Sequence, residues 1–217
     1  MKNLSAGSYF PILLDLSKFD IIIIGAGYIA TRKVSNLIEF GASLKVIAPE
    51  ISNEIIELSE TIKIEILKRK YHYGDISYNS LVFCSTADSE ADKLIQKECE
   101  EKHALLNVAD VPELCNFIMP ATIKHGDLTV SVSSQGRAPF LVKETRKRLS
   151  KLFSPQTADF VDIASKLRDK MMESEVYYDI EKREKIIKEF LEMDIEKIIL
   201  EQGKETALKR AMELIPL

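Results

Sequence analysis

The chain is poor in the residues that build metal centres and disulfide frameworks, with 3 cysteines and 3 histidines in 217 residues. Cys84, Cys99 and Cys115 are odd in number and show no C-x-x-C spacing, which predicts free thiols in a reducing cytoplasm. His72, His103 and His125 are scattered, so no metal site is expected. Long apolar runs are absent too. Ile21–Ile24 is far too short to span a bilayer, and no positive segment followed by an apolar stretch opens the chain, which again predicts a cytoplasmic protein. There is no internal repeat and no low-complexity linker. A formal net charge of -4 excludes a general attraction to nucleic acid or to anionic membrane.

What is present is an ordinary globular composition, 46% hydrophobic and 29% charged. The length suits a nucleotide-binding domain with a smaller attachment. Over roughly the first half, strand-like and helix-like patterns alternate. Phe19–Ile24 is a continuous β-branched run, as expected of a strand buried on both faces. Further strands are predicted over Leu44–Ala48, Ile62–Leu67, Leu81–Cys84 and Ala104–Val108, and helices over Ala30–Phe40, Ile51–Ser59 and Glu90–Lys102. Such alternation makes a parallel sheet covered on both sides. Beyond Asp110, Cys115–Ala121 and Asp127–Ser133 read as two strands around a turn, then a helix from Pro139 to Phe153, then a Lys- and Glu-rich helical tail. The expected layout is α/β: a Rossmann domain over 1–112, a small β-rich segment over 113–150 and a helical domain over 151–217.

Gly25-Ala26-Gly27-Tyr28-Ile29-Ala30 is a G-x-G-x-x-A motif set between a buried strand and a helix. The first glycine permits the tight turn, the second lets backbone approach a pyrophosphate, and the small Ala30 lets helix and strand pack closely. The helix N-terminus then offers free N–H groups and a positive dipole end. Dinucleotide binding is the expectation; the alternative is a turn of this shape that has lost its ligand. Ala48-Pro49-Glu50-Ile51 carries no Arg or Lys to meet a 2′-phosphate, which favours NAD over NADP. Glu50 stands where a ribose-binding acid would sit, or else begins the next helix.

The remaining charge is unevenly placed. Between Arg137 and Lys151, six basic residues (Arg137, Lys143, Arg146, Lys147, Arg148, Lys151) face one acid, Glu144. This suits a polyanionic small molecule, though a solvated helix face would read the same way.

Several motifs, in order and over about Phe10 to Leu152, carry a resemblance. They are FPILLDL (Phe10–Leu16), IIIIGAGYIATRK (Ile21–Lys33), VIAPEI (Val46–Ile51), NVAD (Asn107–Asp110), CNFIMPA (Cys115–Ala121) and LTVSVSSQGRAP (Leu128–Pro139). Together they resemble the precorrin-2 dehydrogenases, the siroheme-synthase N-terminal family. The resemblance departs at Ala26, where the family often has glycine, and at Ala138, where it often has serine. It implies NAD-dependent oxidation of a tetrapyrrole, with Asp110 as the functional aspartate; a turn aspartate ahead of Pro112 is the plainer reading of that residue. It implies contacts to the macrocycle from Ser134, with Asn107 and Asn116 shaping the pocket or only capping turns. The basic surface at Lys124, His125, Arg137, Lys143 and Arg146 gains the substrate's carboxylates as a partner. The resemblance also implies a homodimer built by the middle segment. No nucleic acid, membrane or metal is expected, and no methyltransferase domain. Two rival readings are an enzyme that also inserts iron to finish siroheme, and a non-catalytic NAD-sensing module.

Overall fold

In the computed structural model, which describes residues 9–86 and 88–216, the run Ile21–Ile24 is strand β1 and none of its residues is more than 2% exposed. Residues 1–8 and Leu217 of the two outer expected domains lie outside the described residues. Burying each isoleucine contributes about 1.5–3 kcal/mol, so these four side chains anchor the sheet. On one side of β1 lie β2 (Leu44–Ile47) and β3 (Ile64–Leu67), and on the other β4 (Leu81–Cys84) and β5 (Leu105–Val108). All pairings are parallel and the order is β3-β2-β1-β4-β5. Ile24 pairs with both Ile47 and Cys84, so the C-terminal tips are level.

Period-two alternation sorts the sheet into two faces. Ile21, Ile23, Leu44, Val46, Leu81 and Phe83 pack with Ala30, Val34 and Leu37 of helix α1 (Tyr28–Ile38) and Ile55 of α2 (Asn53–Thr61). Ile22, Ile24, Ile47, Val82, Cys84 and Leu106 pack with Ile95 and Cys99 of α3 (Ser89–Glu101). Because the chain leaves β1 toward β2 but returns on its other side as β4, the sheet has a switch point between β1 and β4. Open α/β sheets bind ligands beyond strand tips at such a point. Between β3 and β4 runs an irregular connection held by the fully buried Glu98. That carboxylate accepts from the Tyr71 hydroxyl and from the N–H groups of Gly74 (3.0 Å) and Ile76 (3.1 Å).

Strands β6 (Ala121–His125) and β7 (Leu128–Val132) form an antiparallel hairpin turned at Gly126, whose φ is +57°. After them come α4 (Pro139–Ser150), α5 (Thr157–Met172), α6 (Ile180–Glu192), α7 (Ile195–Gln202) and α8 (Lys204–Met212). The last four share a core of Ile163, Leu167, Ile186, Phe190, Ile195, Ile199, Ala207 and Ala211.

The strand foreseen over Cys115–Ala121 begins only at Ala121. The chain divides into two compact units, 1–119 and 120–217. Residues 115–117 stay irregular because they are tied to the open edge of β5. Asn116 N–H donates to Leu106 O (3.0 Å), its Oδ1 accepts from Leu106 N (2.7 Å) and its Nδ2 donates to Ala104 O (3.1 Å). A single side chain thus imitates the next strand and closes an edge that would otherwise be open to pairing. From Pro120 onward, hairpin and helices make one unit, with the backbone of Ala158 lying 3.5 Å from where a Gly126 Cβ would stand.

Candidate functional site

The turn after β1 is shaped by two glycines that do different work. Gly25 has φ +103° and donates its N–H to Ile47 O at 2.9 Å. A Cβ there would lie 2.5 Å from Ser85 O, so only glycine fits between the tips of β1 and β4. Gly27 has an ordinary φ of -79° and a Cβ on it would meet nothing within 4 Å. Its missing side chain opens space in front of α1. No side chain caps that helix, and its first bond runs from Thr31 N to Gly27 O at 2.9 Å. The N–H groups of Tyr28, Ile29 and Ala30 therefore meet no acceptor among the described residues. Three donors, a positive helix end and an open recess make a seat for paired phosphates. Ala30 is fully buried against the sheet, whereas Tyr28 and Ile29 are exposed.

Pro49 and Glu50 are exposed beyond the tip of β2. Helix α2 starts later, at Asn53, with Ser52 as its cap accepting from Ile55 N at 3.4 Å. Glu50 is therefore outside the helix, which answers one of the two readings of that residue. The residue follows β2, the strand beside β1, off whose end ribose hydroxyls are met in this fold, and no cation lies between Ala48 and Asn53. The residues present fit a dinucleotide.

At the tip of β5, pairing ends when Ala109 N donates to Cys84 O at 2.8 Å. Asp110 is the next residue, exposed and left-handed at φ +60°. Aspartate tolerates that conformation better than most residues. The loop carrying it folds around the Cys115 sulfur, which accepts from Val108 N at 3.1 Å and shares its proton between Val108 O (3.3 Å) and Val111 O (3.4 Å). Burial pushes this thiol up, and pushes the Cys84 thiol higher still, so both stay protonated at neutral pH. Asn107 on β5 accepts from Lys33 Nζ and donates to Phe117 O at 3.1 Å. Both asparagine amides are thus engaged inside the unit, holding the segment that follows Asp110. Asn116→Ala leaves Leu106 N and Ala104 O without partners, for an expected loss of about 2–4 kcal/mol in urea unfolding; a loss below about 0.5 kcal/mol would deny the strand-mimic role.

The other expected contacts belong to the second unit. Ser134 accepts from Ala138 N at 2.9 Å, and its own proton meets no acceptor among the described residues. It opens a tight turn in which Gln135 and Gly136 are both left-handed, at φ +55° and +77°. Arg137 and Lys143 are exposed and form no ion pair among the described residues. Arg146 donates from Nε to Thr122 O at 2.8 Å, which docks α4 on β6. His125 packs on Phe153 with ring centroids 5.3 Å apart. The structure therefore assembles Gly25, Gly27, Tyr28, Ile29, Ala30, Pro49, Glu50 and Asp110 along one sheet edge, and gathers Ser134, Arg137, Lys143 and Arg146 in the hairpin unit.

Sequence reasoning missed Lys33, Cys115 and Ser85. Lys33 had a readable signal. Ala30, Lys33, Val34 and Leu37 follow the i, i+3, i+4, i+7 spacing of the buried stripe of α1, where a lysine is out of place. Ser85 and Cys115 act through backbone contacts that no local pattern announces.

Comparison with known proteins agrees with this geometry. Residues 12–121 match the family described as putative NAD(P)-binding. The chain is 30% identical over 161 residues to the siroheme synthase of Actinobacillus pleuropneumoniae serotype 3, covering 74% of this chain and 33% of that protein. It is 32% identical over 165 residues to the siroheme synthase of Zymomonas mobilis, covering 76% and 35%. Against that of Chromobacterium violaceum the match is 30% over 205 residues, covering 94% and 43%. The chain thus spans between a third and a half of the length of these relatives. Among solved structures, SirC, a precorrin-2 dehydrogenase, shares the fold with a TM-score of 0.74 at 21% identity, over 94% of this chain and 100% of that one.

Proposed function

The chain belongs to the putative NAD(P)-binding family, and from that premise we propose that it is an NAD-dependent dehydrogenase oxidising precorrin-2 to sirohydrochlorin. One observation carries the reading: Asp110, the first residue free of β5, stands at the same sheet edge as an uncapped helix N-terminus behind Gly27. The siroheme synthases among its relatives supply the substrate class.

The N–H groups of Tyr28, Ile29 and Ala30 hold the pyrophosphate, and Glu50 takes the ribose hydroxyls. When bound, the nicotinamide supplies the hydride acceptor. Oxidation of the macrocycle also releases a proton, and Asp110 is the base that accepts it. The hairpin unit by itself offers Arg137, Lys143 and Arg146 as cations suited to carboxylate groups, and Ser134 as a hydroxyl with a proton to donate. Free thiols at Cys84, Cys99 and Cys115 support a reducing cytoplasm. No helix among the described residues is long and apolar enough to cross a membrane.

The test is anaerobic mixing of protein, precorrin-2 and NAD+. The proposal requires NADH and sirohydrochlorin to appear together. Tight NAD+ binding without turnover would favour an NAD-sensing module instead.

A homodimer belongs to the same proposal. A two-stranded hairpin is marginal by itself, and Phe140, Leu141 and Leu152 stand 78%, 55% and 75% exposed on and just after α4. Sedimentation at micromolar concentration is expected to show a dimer that Phe140→Glu weakens; a monomer throughout would remove this part.

A further inference from the structure

Ser85 follows β4 directly and stands across the switch point from Gly25. Its N–H donates to the carbonyl of Ile24, the last residue of β1, at 2.8 Å. Its Oγ lies 2.8 Å from where a Gly25 Cβ would stand, so the hydroxyl fills the notch that the glycine leaves. The residue is half-buried, yet its hydroxyl meets no partner among the described residues. Both of its neighbours are paired, and to the same group. The Asp92 carboxylate, only 6% exposed in the first turns of α3, accepts from Cys84 Sγ at 3.0 Å and from Thr86 Oγ1 at 2.6 Å. Thr86 Oγ1 in turn accepts from Asp88 N at 3.1 Å, and Asp88 caps α3. A buried carboxylate thus clamps the chain on either side of Ser85 and leaves one unpaired hydroxyl beside the glycine turn. A half-buried donor without an acceptor is costly unless a ligand supplies one.

We propose that Ser85 is the hydrogen-bonding residue for the nicotinamide-side ribose of the dinucleotide, held ready by the Asp92 clamp. This rests on the dehydrogenase reading above. Two anchors set the direction in which the ligand lies. Glu50, after β2, takes the adenosine ribose, and the N–H groups at the start of α1 take the pyrophosphate. The strand order runs β2-β1-β4, so a dinucleotide that starts off β2 and crosses in front of α1 continues over the tip of β4. Ser85 is the first residue beyond that tip. A ribose hydroxyl both donates and accepts, as a serine hydroxyl does, so the pair satisfies the unpaired group without adding charge.

Calorimetric titration with three ligands tests this without turnover. NAD+ and ADP-ribose both carry the second ribose, whereas ADP ends at the pyrophosphate. Ser85→Ala is expected to weaken NAD+ and ADP-ribose by about three- to tenfold, the worth of one hydrogen bond, and to bind ADP as the parent does. Its urea midpoint should not move, because the hydroxyl removed has no partner in the free protein. Thr86→Val, which breaks one of the two bonds to Asp92, is expected instead to lower the urea midpoint, and to weaken NAD+ and ADP-ribose while sparing ADP. Parent-like NAD+ affinity in Ser85→Ala, or an equal loss for ADP, would overturn the inference. So would a lowered urea midpoint in Ser85→Ala, which would make the hydroxyl a part of the fold. A parent that binds none of the three ligands removes the dinucleotide reading and this inference with it. A parent that binds NAD+ no better than Ser85→Ala does removes only the role given to Ser85.

Discussion

Asp110→Asn is expected to slow NADH formation from precorrin-2 by roughly 10²–10⁴-fold, with folding and NAD+ affinity close to those of the parent. The choice of asparagine matters. Asp110 sits at φ +60°, a conformation that asparagine accepts and most residues do not. Asp110→Ala would add a backbone penalty of about 1 kcal/mol and blur loss of the base with loss of the loop. The surrounding hydrogen bonds, from the Cys115 sulfur to Val108 and Val111, do not involve the carboxylate and remain in the variant. Ser134→Ala is the natural control: it removes the acceptor for Ala138 N and costs about 1 kcal/mol of local stability, with a loss in rate below about tenfold. An Asp110→Asn protein with full turnover would strip Asp110 of its role and leave the fold untouched.

The second large effect is expected at Gly25, and its sharpness comes from comparison with Gly27. A methyl group on Gly25 would lie 2.5 Å from Ser85 O and 2.9 Å from Ser85 C, both backbone atoms of the turn after β4. Its φ of +103° adds strain that any L-residue with a Cβ must bear. Gly25→Ala should therefore destabilise the protein by about 2–5 kcal/mol and abolish NAD+ binding. Gly27→Ala meets no atom within 4 Å and keeps an ordinary φ. Its stability should stay within about 1 kcal/mol of the parent, because only a modest capping preference is lost. Yet its methyl would occupy the recess in front of α1, so NAD+ binding should weaken. Urea unfolding with calorimetry on both variants separates the roles. Equal stability in the two would mean that Gly25 does not hold the sheet tips together.

Much of the first unit was legible because its signals are periodic. Four isoleucines in a row mark a strand buried on both faces, and G-x-G-x-x-A between strand and helix places the phosphate seat. All five parallel strands fall within the predicted spans. The segment 115–120 reads as a strand because its apolar residues fit one, while the deciding feature, the Asn116 side chain standing in for strand backbone, leaves no periodic trace. Lys33 is hidden in the sequence for a different reason: a lysine on an amphipathic helix is ordinarily solvent-facing, and only its place on the buried stripe gives it away. Asp110 is legible only through resemblance. Its left-handed backbone and its position one residue beyond the last sheet hydrogen bond are tertiary facts.

Calorimetric titration of the purified chain with NAD+ bears most directly on the whole account. It should show saturable binding at one site per chain that disappears in Gly25→Ala and weakens in Gly27→Ala. Absence of any saturable signal with NAD+ or NADH, in a protein that is otherwise folded, would contradict the seat in front of α1 and the oxidation that depends on it.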